Sequence, residues 1–124
     1  MAVTAHEHDD KIEVARLRVR PQFIYVRGGR TEKRKSLLVQ ARARRGEAAG
    51  SHAGAGFTAT KKIGGAVVRN RAKRRLREAA RLLLPRLARP GWDYVFIARQ
   101  DTADIGWARL LDDMESALIS LAAD

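Results

Sequence analysis

The stretch that decides the fold is residues 61–81, KKIGGAVVRNRAKRRLREAAR. It contains nine Lys or Arg residues and one acid, Glu78. A glycine pair, Gly64 and Gly65, comes just before a pattern typical of a helix. The segment therefore offers phosphate two kinds of partner in one place, namely backbone amides at a helix start and guanidinium groups along the helix.

Apolar residues recur every three or four positions over residues 67–84, which predicts an amphipathic helix that ends at Pro85. Arg69, Lys73 and Arg77 form a separate row with a spacing of four residues. Like charges at this spacing repel by roughly 0.2–0.5 kcal/mol per pair, and an anion bound along the row removes that cost. One face of the helix is thus predicted to pack, and the other to bind a polyanion.

The segments on both sides of this helix read as strands. Residues 57–60 form a short strand, and residues 94–98 are an apolar run suited to the interior of a sheet. The order strand, helix, strand predicts a parallel pair joined by a crossover, which is right-handed in the general case. Residues 35–44 alternate between apolar and polar positions and predict another strand, whereas the Gly- and Ala-rich residues 45–56 predict a loop.

Two further helices are predicted at the ends of the chain. The first begins near Pro21, which the first turn of a helix tolerates, and ends at the glycine pair 28–29. The last follows a turn at residues 101–104, and its apolar stripe begins with Trp107, which we expect in the core. Its acids lie opposite and are expected to face solvent; they are Asp112, Asp113 and Glu115.

Composition limits the class of protein and of partner. A chain of 124 residues forms one domain, and a net charge of +11 with a pI near 11.2 indicates a polyanionic partner, with nucleic acid the leading candidate. Residues 16–81 hold 20 bases and three acids, whereas residues 1–15 are polar and predict a disordered tail before a domain at 16–124. The absence of cysteine excludes disulfides and Cys-based zinc sites, and no apolar run is long enough to span a bilayer. These features fit a cytoplasmic protein.

Residues 61–77 match the pattern Lys-Lys-x-Gly-x-Ala-Val-x-Arg-Asn-x-x-Lys-Arg-x-x-Arg at every defined position. This pattern is the signature of the bacterial ribonuclease P protein subunit, and the chain resembles that family in it. Segments 16–30, 37–42 and 91–99 are similar to the family's N-terminal segment, long strand and last strand, so the resemblance covers about residues 16–121.

The resemblance implies an α+β fold in a single compact domain with the order α-β-β-β-α-β-α. It also implies a mixed sheet with a left-handed β-α-β crossover, in place of the general right-handed one. By the same resemblance the chain is the non-catalytic protein subunit of an endoribonuclease, and it binds a catalytic RNA and the 5′ leader of precursor tRNA. The RNA removes the leader and holds Mg²⁺, while the protein binds no metal or cofactor itself. No DNA and no membrane are expected as partners.

Two groups of residues carry these roles. The residues expected to bind the catalytic RNA are Lys61, Lys62, Gly64, Arg69, Asn70, Arg71, Lys73, Arg74 and Arg77. Those expected to line the leader cleft are Phe23, Tyr25, Leu38, Gln40 and Phe57. Ordinary core packing is the alternative for Phe23 and Phe57, and helix capping is the alternative for Asn70. No residue is expected to be catalytic.

Three other interpretations fit parts of the sequence. Composition alone would suit a general RNA-binding or ribosome-associated protein. A stand-alone nuclease would need clustered carboxylates, but Glu32, Glu47 and Glu78 are well separated in the basic block. A metal site at His6, His8 and Asp9 is a weak hypothesis, since two histidines near a chain terminus are not a ligand set.

Overall fold

The computed structural model describes residues 11–46 and 50–123. A single turn of 3-10 helix, Lys61–Ile63, precedes the second helix. The elements in chain order are β1 (Val14–Arg16), α1 (Arg20–Arg27), β2 (Arg30–Lys33), β3 (Leu37–Ala43), β4 (Ala53–Thr58), α2 (Ala66–Leu87), β5 (Trp92–Ala98) and α3 (Trp107–Ala122). The helix of the basic segment is therefore α2.

The five strands form one mixed sheet in the order β1-β4-β5-β3-β2. Strand β4 pairs parallel with both β1 and β5, while β3 pairs antiparallel with both β2 and β5. Helix α2 connects the parallel neighbours β4 and β5. The α+β class and the mixed sheet are confirmed, with β1 added before the first helix of the expected order. The left-handedness of the crossover stays a prediction.

Helices cover both faces of the sheet. Helices α2 and α3 pack on one face and enclose the main core, in which Leu76, Phe96 and Met114 are fully buried. Helix α1 packs on the other face over a smaller cluster of Leu17, Val26 and Val95. Because side chains alternate along a strand, the central strand β5 contributes Phe96 to the main core and Val95 to the smaller cluster.

The alternation predicted for β3 is confirmed along most of the strand. Leu37, Val39 and Ala41 are fully buried in the main core, while Leu38 and Gln40 lie partly buried on the α1 face. The strand therefore supplies apolar packing on one side and a half-open surface on the other.

The loop predicted for residues 45–56 is wrong in its last four residues, because β4 begins at Ala53. The glycines that suggested a loop serve close packing instead. A Cβ at Gly54 would lie 2.2 Å from Asp93 Oδ1, and a Cβ at Gly56 would lie 2.5 Å from Phe23 Cε2. Strand interiors use glycine where another group approaches the backbone this closely.

The predicted helix end at Pro85 is also wrong, because α2 continues to Leu87. Proline lacks the backbone N–H that would bond to the Arg81 carbonyl, and the helix ends two residues after it. The Pro85 carbonyl is also used, since it accepts a hydrogen bond of 2.8 Å from the Ile12 amide.

The boundary expected between a tail and a domain at residue 16 falls inside β1. Val14, Ala15 and Arg16 pair with β4, and the Leu17 amide donates to the Ala55 carbonyl at 2.9 Å. The ordered fold thus includes residues that composition assigned to the tail. The rest of that expected tail, residues 1–10, lies outside the described part of the chain.

Two expectations for the last helix are wrong. Trp107 is 39% exposed, and its ring lies 5.9 Å from the Arg75 guanidinium. Asp113 is buried, and its carboxylate accepts hydrogen bonds from Ser36 Oγ at 2.9 Å and Arg109 Nε at 3.1 Å. Burial alone raises the pKa of Asp113, but these hydrogen bonds and the Arg109 charge outweigh it, so the pKa lies below its ordinary value.

Candidate RNA interface

The turn before α2 depends on its glycines. Gly64 has a φ of 144°, a conformation that side chains rarely adopt, and Gly65 caps the helix start, where an added Cβ would meet nothing within 4 Å. Arg69 Nη1 donates to the Gly64 carbonyl at 3.0 Å and holds this turn against the helix. Lys61 and Lys62 lie exposed on the preceding helical turn. The helix start is therefore open, held by Arg69 and flanked by cations.

Helix α2 has an apolar face and a cationic face. Its buried residues, which pack on the sheet and on α3, are Ala72, Leu76, Ala79, Ala80 and Leu84. On the outer side Asn70, Arg71, Arg74 and Arg77, with Val67, line a shallow groove. Lys73 is partly buried between the two faces. The predicted division of the helix into a packed and a cationic side is thus present.

The cationic face keeps its charge. Within residues 11–46 and 50–123 the ion pairs are Arg34–Glu32, Arg44–Asp93, Arg81–Glu78 and Arg109–Asp113. None of them uses a basic residue predicted to bind RNA. The hydrogen bond and charge of Arg81, helped by the charges of Arg77 and Arg74, hold the pKa of Glu78 below its ordinary value. A carboxylate on this helix therefore lies in a positive field.

Arg75 has a different role from its neighbours. Its guanidinium donates to the Thr102 carbonyl at 2.6 Å and to the Ile105 carbonyl, and so ties α2 to the segment before α3. Burial and the charge of Arg71 lower the pKa of Arg75, and Asp104 opposes this shift. The sequence pattern leaves this position undefined, in agreement with a side chain that faces the protein.

A second surface lies between α1 and the sheet. The Phe23 ring rests on Gly56 and packs against the small cluster of Leu17, Val26 and Val95. On strand β3, which neighbours β5, Leu38 and Gln40 lie opposite Ile97 and Val95 and share their face. This face of the sheet is partly open, because each of these two β3 side chains is only partly buried.

Tyr25 lies at one end of this cleft and is held from two sides. Its hydroxyl donates to the Ala43 carbonyl at 2.6 Å, and the Arg42 guanidinium lies 4.1 Å from its ring centroid. Arg45 lies 5.4 Å from the same centroid. Sequence reasoning missed Arg42, although it shares the two-residue register of Leu38 and Gln40 and that register could have identified it.

The placement of Phe57 in the cleft is wrong. Phe57 packs on the main core, where its ring stacks on Phe96 with centroids 5.4 Å apart. The cause is the alternation of β4, in which Gly56 faces α1 and Phe57 therefore faces α2. Four of the five predicted cleft residues share one face, and Phe57 is on the other.

The carboxylates considered for a nuclease do not meet. Glu32 on β2 pairs with Arg34 at 3.0 Å, and Glu78 on α2 pairs with Arg81 at 2.8 Å. Glu47 lies outside the described residues, as do His6, His8 and Asp9. Within the described ranges, no three His, Cys, Asp or Glu side chains lie close enough together to hold a metal ion. No helix among these residues is both long and apolar enough to cross a membrane.

Comparison with known proteins gives one consistent result. The sequence model of the family described as Ribonuclease P matches residues 13–122. The ribonuclease P protein component of Caulobacter vibrioides is 57% identical over 113 residues, which are 91% of this chain and 74% of that protein. The corresponding protein of Ruegeria pomeroyi is 54% identical, and the match covers 86% of each chain.

Solved structures agree on the fold. The RNase P protein from Thermotoga maritima superposes with a TM-score of 0.71 at 22% identity, over 87% of this chain and 98% of that one. The Staphylococcus aureus RNase P protein gives a TM-score of 0.69 at 22% identity, over 86% and 94%. Together with the two close relatives and a family match across nearly the whole ordered fold, this establishes that the chain belongs to the ribonuclease P protein family.

Proposed function

We propose that this chain is the protein subunit of ribonuclease P and assists removal of the 5′ leader from precursor tRNA in the cytoplasm. The observation that carries the proposal is the open cationic face of α2, a helix whose opposite, apolar face packs in the main core. Family membership supports the identity of the partner, namely the catalytic RNA of ribonuclease P. Neither DNA nor a membrane is a partner in this proposal.

On this proposal α2 holds phosphates of the catalytic RNA. Arg71, Arg74 and Arg77 line the outer groove, and none is consumed by an ion pair within the described chain. Guanidinium groups bind phosphate through two donors in a fixed geometry, and such contacts position the RNA without reading its sequence. Lys61 and Lys62, with the open turn at Gly64, would extend this contact to the helix start.

The cleft beside α1 would hold the leader. Phe23 offers a ring on which an unpaired base can stack, and Gln40 offers both a donor and an acceptor to a base edge. Arg42, which lies over the Tyr25 ring, brings positive charge to the same end of the cleft. The substrate would thus be held on the α1 face, and the catalytic RNA on the α2 side.

Chemistry would belong to the RNA. Metal-assisted cleavage of a phosphodiester requires carboxylate or phosphate ligands for Mg²⁺, and the acids Glu32 and Glu78 are each paired to arginine on separate elements. We assign the Mg²⁺ sites to the RNA and no catalytic side chain to the protein. The protein would lower the Mg²⁺ requirement because its cations screen phosphate repulsion in the complex.

Reconstitution tests the proposal. The purified chain and the ribonuclease P RNA from the same genome are assayed separately and together on precursor tRNA, at high and at low Mg²⁺. We expect no cleavage by the protein alone and restored cleavage by the complex at low Mg²⁺. Competition with bulk RNA at moderate salt separates this function from general RNA binding, because a specific complex survives it. Cleavage by the RNA-free protein, or no rescue of the RNA, would overturn the assignment.

A further inference from the structure

An apolar groove lies at the edge of the sheet, on the α2 side. It is formed between strand β1 and helix α2 and encloses about 230 Å³. Its floor is made by Ala55 and Phe57 of β4 and by Ala80 and Leu84 of α2. The small side chains of the two alanines leave the space, and the Phe57 ring, which stacks on Phe96, gives the floor a flat aromatic surface.

Three arginines surround this floor. Arg77 and Arg81 stand on one wall, one helical turn apart on α2, and Arg16 stands on the opposite wall in the exposed strand β1. Arg81 is held in place by an exposed ion pair with Glu78 at 2.8 Å, which uses only part of its five-donor guanidinium. Arg77 also lines the outer groove with Arg74, so the two surfaces are continuous.

An apolar slot with cations on both sides matches an unpaired nucleotide. Its base is flat and loses little when it leaves water for an apolar wall, whereas the phosphates on each side of it need cations. A buried apolar side chain of a protein partner would match the floor but would leave Arg16 and Arg77 without acids, unless that partner were acidic. Since Arg77 belongs to both surfaces, a strand of RNA lying along α2 passes the mouth of the groove.

We propose that this groove takes one unstacked base of the RNA bound along α2. The inference rests on the proposed function, since it presumes that the RNA lies on this helix. The floor carries no hydrogen-bonding side chain, so the groove would select an unpaired base over a paired one and would not select among the four bases.

Photochemical crosslinking tests the position of the base. The chain has no cysteine, so Val14→Cys places a single thiol on the exposed β1 wall of the groove, to which an aryl azide is attached. Val14 pairs with Ala53 of the main core and therefore faces the α2 side. Ala108→Cys, exposed in the first turn of α3 and outside the groove, is the matched control. In complexes with the ribonuclease P RNA, we expect the label at position 14 to react with one or a few unpaired nucleotides. The label at position 108 should not react with them.

A groove-filling variant tests the energetic contribution. Val14→Trp should weaken RNA binding about tenfold, as expected when one stacked base is lost, while the salt dependence stays unchanged because no charge is removed. The crosslinked nucleotide should also become reactive to base-modifying reagents in this complex. Ala108→Trp, which introduces the same side chain at an exposed position outside the groove, should leave affinity and reactivity at wild-type values.

The outcomes separate the two proposals. If the complex forms and cleaves precursor tRNA while the label at position 14 reacts with paired nucleotides, with the protein's own first ten residues or with nothing, the base-binding proposal is wrong and the function stands. A Val14→Trp variant with wild-type affinity also overturns the base-binding proposal. If the chain does not bind the RNA at all, both are wrong.

Discussion

The charge on α2 should determine how steeply RNA binding depends on salt. We consider the combined variant in which four cations become glutamine, namely Arg71, Lys73, Arg74 and Arg77. Glutamine keeps a long polar side chain and a similar helix propensity, so the helix should persist. Removal of like charges four residues apart relieves repulsion and should not lower stability. Thermal unfolding checks that the fold is retained.

The size of the change in salt dependence follows from the number of cations removed, none of which forms an ion pair within the described residues. Each phosphate contact contributes about 0.7–0.9 to the slope of log affinity against log salt, so four contacts contribute about 3. Between about 50 and 200 mM salt, wild type should then lose about 60-fold more affinity than the combined variant. Arg74→Gln alone should flatten the slope by about one.

The assay is a titration of the ribonuclease P RNA at several salt concentrations and constant Mg²⁺. Arg86→Gln is the matched control, because Arg86 is also exposed on α2 and carries the same charge. It lies 12 residues after Arg74, which turns it about 120° around the helix from that residue. A combined variant with the wild-type slope, or an Arg86→Gln slope flattened as much as that of Arg74→Gln, would refute the assignment of this face to phosphate.

Three further predictions concern the framework of the two surfaces. Asp113→Asn should lower the free energy of unfolding by about 1 kcal/mol at pH 7, because charge-assisted hydrogen bonds become neutral ones. Since the pKa of Asp113 is lowered in the fold, the difference in unfolding free energy between wild type and variant should reach its full size above about pH 4 and vanish as the pH falls further. Urea unfolding at several pH values measures it, and a pH-independent difference would contradict the prediction. Gly56→Ala should cost about 1–3 kcal/mol in the same measurement, since its Cβ would lie 2.5 Å from the Phe23 ring. Gly65→Ala meets open space and should cost at most about 1 kcal/mol, for the loss of a glycine helix cap. Arg30→Ala should lower the free energy of unfolding by about 1–2 kcal/mol and speed amide exchange at the end of α3, because the Arg30 guanidinium donates to three carbonyls there at 2.9 to 3.2 Å. Unchanged exchange in that turn would show that these contacts contribute nothing.

Helix α2 shows which features of the fold the local sequence pattern predicts correctly. Its apolar and cationic faces follow from a period of 3.6 residues, which is a property of the backbone and needs no partner to define it. The same reasoning placed β3 and both faces of that strand. It failed at the ends of elements, where Pro85 and the glycines of β4 are local signals for an end or a loop. Contacts with distant residues, such as Ile12 and Phe23, overrule those signals.

The cleft shows where local pattern stops. Phe57 and Phe23 look equivalent as aromatic residues beside predicted elements, but one faces α2 and the other faces α1. Asp113 likewise shares its helix with exposed acids, and only the arrival of Ser36, just before β3, gives its carboxylate a buried partner. Trp107 remains at the surface because the neighbouring side of α3 supplies the core.

The order of residues alone determined the basic amphipathic helix, the glycine turn before it and the family signature, because each depends on spacing within a few turns of chain. Only the folded chain decided which aromatic ring lies in the cleft and that β1 completes a groove beside Arg77. Both depend on which strand pairs with which and in what register. A shift of one residue in β4 would exchange the sides of Gly56 and Phe57 while leaving every local pattern unchanged.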